Sequence, residues 1–166
     1  MIYLTGSHGF IGEAIAAYYG EENVIRHIRK TMPRMHGITK VIHCAAYGNH
    51  STQTNPTEMI RTNCIELIEL LETAQRYDVS EFINISSSSV TLNKQTLYSL
   101  TKAIGEKIAS NFKVRTVRPY SVFGPGEGEW RFIPRVIRHI HSGEPMPLVP
   151  DADRKSTRLN SSHGYI

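Results

Sequence analysis

Residues 2–20 pass from a short β-favouring run, IYLT, through a turn punctuated by Gly6, Gly9 and Gly12 into a segment of helical spacing. Positions without side chains let a backbone turn sharply, and the amides that open the following helix form an anion site. Within 10–19, Phe10, Ile11, Ala14, Ile15 and Tyr18 recur at helical spacing, with Gly20 as the C-cap. The same alternation continues along the chain. Val24–Ile28, Val41–Ala46, Glu81–Ser86 and Val114–Arg118 read as strands, the second of them apolar throughout, as expected of a strand covered on both faces. Residues 56–77, 96–110 and 130–141 read as helices; Asn55 and Pro56 suit the start of the first, and Glu58 completes a capping-box pattern. Strands alternating with helices predict a parallel sheet with right-handed crossovers, hence a doubly wound α/β domain.

The 166 residues are enough for one domain. A composition of 40% hydrophobic and 20% charged residues excludes disordered, collagen-like and coiled-coil chains. No apolar run approaches the roughly 18 residues a bilayer span requires, so no membrane partner is expected. Cys44 and Cys64 sit in apolar segments without metal spacing and read as reduced core thiols, which together with an N-terminus lacking a basic leader suggests the cytoplasm. His8, His43 and His50 do not cluster with carboxylates, and no metal is assigned.

The formal charge of +4 includes a C-terminal stretch that needs its own explanation. From Asp153 to His163 the chain reads DRKSTRLNSSH, which has no apolar periodicity and resembles, codon for codon over eleven residues, the translation of a widely used sequencing adapter. A polar C-terminus is the alternative. On the adapter reading, residues 153–166 are a non-native tail and 1–152 is a dinucleotide-binding domain from a longer protein. Without that tail 16 basic residues face 14 acidic ones, a net of +2 that gives no case for nucleic acid.

The glycine turn TGSHGFIG departs from the usual G-x-G-x-x-G spacing. It resembles the T-G-x-x-G-F-I-G signature of the extended short-chain dehydrogenase/reductase family, the NAD(P)-dependent epimerases and dehydratases. Five further segments agree, in order: VIHCAA, Asn63, SSSSV (Ser86–Val90), the Tyr98-x-x-x-Lys102 pair and RPYSVFGPGE (Arg118–Glu127). The resemblance implies a Rossmann-type fold and catalysis by Ser87, Tyr98 and Lys102, with Ser88 as the alternative hydroxyl. It also implies a dinucleotide held by Gly6, Gly9, Phe10, Ile11, Gly12, Arg29, Ala45, Ala46, Asn63, Tyr98, Lys102, Pro119, Tyr120 and Val122.

The chemistry of the pair can be argued from spacing alone. Four residues apart on a helix, Tyr98 and Lys102 share a face. A phenol is a poor base at neutral pH, but a neighbouring ammonium and a positive nicotinamide both favour the phenolate. Tyr98 would then take a proton from a substrate hydroxyl as hydride leaves the same carbon.

The cofactor is expected to be NAD or NADP. No Asp or Glu occurs between Glu22 and Glu58, so Arg29 or Arg26 is available for a 2′-phosphate, and the reading leans to NADP. Departures from the family pattern touch the substrate side: a strand–helix unit is short between 28 and 41, the tyrosine after the serine strand is missing, and Ser121 replaces an asparagine. The leading function is therefore an epimerase, dehydratase or reductase acting on a sugar nucleotide or related hydroxyl or carbonyl compound. A reductase of small non-sugar carbonyls and a non-catalytic NAD(P)-binding regulator are the alternatives. Family members build much of the substrate pocket from the C-terminal part, so the chain as it stands is expected to turn over poorly. The family also implies a homodimer through the helices at 56–77 and 96–110.

Overall fold

The structure, a computed structural model, describes residues 1–28 and 34–146. Five parallel strands lie in the order β2-β1-β3-β4-β5, with β1 Ile2–Thr5, β2 Val24–Arg26, β3 Lys40–His43, β4 Glu81–Ile85 and β5 Arg115–Val117. Helix α1 Phe10–Tyr19 follows β1, α2 Pro56–Ile60 leads through a π turn at Arg61–Ile65 into α3 Glu66–Arg76, and α4 Leu97–Ala109 follows β4. The expected α/β doubly wound sheet is thus present, and strand order reverses between β1 and β3, where such sheets bind ligands beyond their carboxyl ends. The chain divides into two compact units, Met1–Pro119 and Tyr120–Ile166; the second carries α5 Phe132–Ser142, closed by Gly143 at φ +70°. The tail at 153–166 lies outside the described residues.

Alternation along each strand gives the sheet two apolar faces. Tyr3, Val41 and Phe82 are register partners on one face and pack with Leu67, Leu70, Leu71 and Ala109 from α3 and α4. Ile2, Leu4 and Ile42 form the other with Ala16 of α1 and Val24. Each leucine buried in this way contributes about 1.5–3 kcal/mol, which makes α3 the main anchor of its face. The chain passes from β2 to β3 with no helix among the described residues; Met35 and Ile38 of that connection fill the first core instead.

Two local details differ from the helical spacing read from sequence. In α1 the buried positions are Gly12 and Ala16, while Ala14 is exposed and Tyr18 is 83% exposed, because only the smallest side chains fit between this helix and the sheet. The helix expected over 56–77 is interrupted by its π turn. Thr62, Asn63 and Cys64 are consecutive and all buried, whereas three residues of a regular α-helix sweep about 200° and would turn one of them outward. Asn55 caps this helix, its Oδ1 accepting from the amides of Thr57 and Glu58 at 3.0 and 3.2 Å. Among the described residues no helix is long and apolar enough to cross a membrane.

Candidate active site

The glycine turn lies where β1 meets β3. Gly6 has φ +64°, and a Cβ there would fall 2.6 Å from Ala45 N and Cys44 C. A Cβ on Gly12 would lie 2.2 Å from the Gly6 carbonyl oxygen. Side chains are therefore excluded at both positions by backbone, which cannot move aside as a side-chain tip can. Gly9 is the N-cap of α1 and provides no side-chain cap, so the first amides of that helix, at Phe10 and Ile11, point out of the turn without one. Ser7 is 2% exposed, and its Oγ is buried without a hydrogen-bond partner among the described residues. Bare amides, a cradle with no Cβ and an unsatisfied hydroxyl all suit the pyrophosphate of a dinucleotide.

Ala45 and Ala46 continue from β3, which ends at His43 rather than running on to Ala46 as the sequence suggested. The chain leaves the ladder there because it is fixed from below. Asn63 Oδ1 accepts from the Tyr47 amide, and its Nδ2 donates to the Tyr47 carbonyl and to Thr101 Oγ1, each at 2.9 Å. Asn63 thus spends its amide holding the loop after β3 and tying it to α4. His43 is buried beside Thr5, Nδ1 to Oγ1 2.8 Å, and burial pushes its imidazole down to about 3, so it is neutral. His43 is a neutral sheet residue. Burial likewise pushes the Cys44 thiol up to about 12, and both cysteines are free and unreactive in character.

On α4, Tyr98, Lys102 and Glu106 succeed one another at four-residue steps. A capping box fixes the start of the helix: Thr96 Oγ1 accepts from the Ser99 amide at 3.2 Å, and Ser99 Oγ accepts from the Thr96 amide at 2.8 Å. Tyr98 is half-buried beside Gly48; a Cβ on that glycine would reach 3.2 Å from the ring. Lys102 is 5% exposed and donates from Nζ to the Ile85 carbonyl at 2.8 Å, at the carboxyl end of β4. Glu106 holds Arg118 in a two-pronged ion pair, Nε to Oε1 2.8 Å and Nη2 to Oε2 2.5 Å, and the guanidinium keeps its carboxyl below the usual range. That pair locks α4 to the end of β5, and neither the glycine turn nor the Tyr98–Lys102 spacing announces it.

Ser87 is half-buried and caps a short 3₁₀ turn at Ser88–Thr91, its Oγ accepting from the Ser89 amide at 3.1 Å and lying 2.9 Å from Ser89 Oγ. Ser88 is buried, and its amide donates to the Pro119 carbonyl at 3.2 Å. Of the two serines, Ser87 is the less buried. Tyr120 and Val122 belong to the second unit and are 71% and 45% exposed. Arg29 lies outside the described residues. Among the described residues no three His, Cys, Asp or Glu side chains group closely enough to hold a metal ion.

Burial pushes the Lys102 ammonium down to about 8 from 10.5. The unfolded chain binds the proton up to the higher value, so between pH 8 and 10.5 stability rises with pH as the folded state sheds its buried charge. At neutral pH the charge is a net cost. Lys102→Met, which also gives up the Ile85 bond, is expected to stabilise the dinucleotide-free protein by about 2 kcal/mol at pH 7 and to remove the rise above pH 8. Urea unfolding across that range measures both effects; an unchanged pH profile would show that Lys102 does not carry the buried charge.

Comparison with known proteins gives a consistent picture. A model of the NAD dependent epimerase/dehydratase family matches residues 25–158. The curated dTDP-glucose 4,6-dehydratase of Streptomyces griseus is 27% identical over 137 residues, covering 70% of this chain and 42% of that protein. The solved structure of MoeE5 in complex with UDP-glucose and NAD is similar with a TM-score of 0.74 at 26% identity, over 90% of this chain and 64% of that one. UDP-glucuronic acid 4-epimerase from Bacillus cereus in complex with NAD has the same fold, with a TM-score of 0.71 at 21% identity over 87% of this chain and 63% of that one. The chain therefore spans less than two thirds of the length of these relatives.

Proposed function

This chain belongs to the NAD dependent epimerase/dehydratase family, and we propose that in the full-length protein it oxidises a hydroxyl of a sugar nucleotide by hydride transfer and returns the hydride to complete an epimerisation or dehydration. The observation that carries this reading is the buried Lys102 ammonium, held on the Ile85 carbonyl at the carboxyl end of the sheet, one helical turn from Tyr98. Gly6, Gly9 and Gly12 with the amides of α1 would hold the pyrophosphate, and the Ala45–Ala46 backbone, fixed by Asn63, would form the floor beside it. The cofactor, when bound, supplies the hydride acceptor. Tyr98 takes the hydroxyl proton, Ser87 hydrogen-bonds the reacting oxygen, and the Lys102 charge favours the tyrosinate that the step requires. The named relatives act on or are bound to UDP- and dTDP-sugars, which supports that substrate class for this chain.

The test is product analysis. The full-length protein with NAD and UDP- or dTDP-glucose is expected to give a sugar altered at a ring carbon with no net consumption of NAD. Net oxidation of NADPH by small carbonyls without sugar turnover would support the reductase alternative, and tight dinucleotide binding without any turnover would support the regulator.

The same proposal includes a homodimer. Ile60, Ile65, Leu97, Leu100 and Ile104, on α2, the π turn and α4, are 39–47% exposed among the described residues. Light scattering is expected to give twice the chain mass, and Ile104→Glu to return it to the monomer; a monomeric unsubstituted protein would remove this part of the reading.

A further inference from the structure

Tyr98 and Lys102 stand on α4, whereas Ser87 stands on the chain that leaves β4, so their mutual geometry depends on what holds these two elements in register. Lys102 supplies one tie, through the Ile85 carbonyl. The serine segment is also bonded to the end of β5. The Ser86 amide donates to the Val117 carbonyl at 2.7 Å, and the Ser88 amide to the Pro119 carbonyl at 3.2 Å. The two donors flank Ser87, and the two acceptors flank Arg118. Pro119 has no N–H to give in return, so the ladder loses a bond at the level of the serines.

A segment held in this way is only as well placed as the strand end that accepts its amides. Among the described residues β5 is an edge strand, paired with β4 alone and exposed at all three positions. Its end is fixed instead by α4. Glu106 Oε1 and Oε2 accept from Arg118 Nε and Nη2, a fork-to-fork pairing that sets orientation as well as distance. The side chain of Glu106 is 13% exposed and that of Arg118 47%, so the carboxylate is the sheltered partner. It belongs to the helix that also carries Tyr98 and Lys102.

We propose that Glu106 is a positioning residue for hydride transfer: by clamping Arg118 to α4 it holds the end of β5, and through the Val117 and Pro119 carbonyls it keeps Ser87 in register with Tyr98 and Lys102. This rests on the reading that those three residues form the hydride-transfer site. Glu106 acts on that site through the backbone and through its charge.

The charge gives a signature that a scaffold residue lacks. The ionisable groups around Lys102 are His43 and Cys44 at the end of β3, Cys64 of the π turn, and Tyr98 and Glu106 on its own helix. Burial keeps His43 neutral and both thiols protonated, while the Arg118 guanidinium holds the Glu106 carboxyl below the usual range. Burial pushes the Lys102 ammonium down, and the Glu106 carboxylate opposes that push. Neutralising Glu106 therefore moves the loss of the ammonium to lower pH.

The experiment is single-turnover reduction of NAD by a sugar nucleotide as a function of pH, with NAD affinity read by calorimetric titration. It uses the full-length protein, unsubstituted and as Glu106→Gln and Arg118→Gln. Glu106→Gln is expected to slow hydride transfer about 10–10²-fold with NAD affinity little changed. It should also move the alkaline limb of the rate profile to lower pH by about half a unit or more. Arg118→Gln opens the clamp but leaves the carboxylate on α4, so it should slow transfer comparably without moving that limb downward. Arg118→Lys keeps the charge and loses the fork; it serves if a glutamine variant does not fold, with transfer slowed severalfold. A Glu106→Gln rate close to that of the unsubstituted protein would overturn the inference, as would equal losses of rate and NAD affinity with the alkaline limb unmoved. Absence of hydride transfer in the unsubstituted protein would overturn the proposed function itself.

Discussion

Tyr98→Phe is expected to slow hydride transfer about 10²–10⁴-fold in the full-length protein while changing NAD affinity little. The phenol is the proton carrier for the hydroxyl being oxidised, and its replacement removes one oxygen from a helix whose start is fixed by Thr96 and Ser99 and whose middle is fixed by Thr101, which bonds both Asn63 and the Tyr98 carbonyl. The backbone that would carry the dinucleotide is therefore left in place. Single-turnover kinetics with NAD and a sugar nucleotide separates the two effects. A rate within a factor of a few of the unsubstituted protein would remove Tyr98 from the chemistry.

The second large effect is expected at the turn. Gly6→Ala puts a methyl group 2.6 Å from both Ala45 N and Cys44 C at a residue with φ +64°, so it combines a backbone clash with left-handed strain. The ends of β1 and β3 must separate, and the Ala45–Ala46 backbone moves with them. A loss of about 2–4 kcal/mol in stability and of at least tenfold in NAD affinity is expected, read by thermal unfolding and by titration. An Ala variant with unchanged NAD affinity would place the dinucleotide elsewhere. Gly37→Ala is the control, since at φ +74° it carries the left-handed strain with nothing within 4 Å of its Cβ and lies outside the turn.

How far the sequence carries depends on the kind of interaction involved. The five strands, the glycine turn and the Tyr98–Lys102 helix are legible because they depend on period, on glycine and on spacing, which are local. The doubly wound sheet then follows from alternation. The π turn is not legible, since Thr62, Asn63 and Cys64 face inward together only because Asn63 must reach both Tyr47 and Thr101, two distant segments. Arg26 shows the same limit. A lone arginine at the end of β2 suggests a phosphate, and only the fold brings Glu13 from α1 and Glu21 from beyond it onto one guanidinium. In α1, spacing marks Tyr18 as inward, but the short distance to the sheet admits Gly12 and Ala16 instead. Ion pairs such as Glu106–Arg118 stay silent in sequence for the same reason: charges at the surface and charges in a clamp look alike until their partners are placed.

Isotope transfer is the most direct measurement of the central claim, that the Tyr98–Lys102 site drives hydride transfer to a dinucleotide held at the glycine turn. The full-length protein would be mixed with NAD and a sugar nucleotide deuterated at the carbon that bears the reacting hydroxyl, then quenched within one turnover, and the cofactor would be examined by mass spectrometry. Deuterium on the reduced nicotinamide in the unsubstituted protein, and its absence in Tyr98→Phe with NAD still bound, is the predicted result. Bound NAD that never acquires deuterium from the unsubstituted protein, or undiminished transfer in Tyr98→Phe, would contradict it.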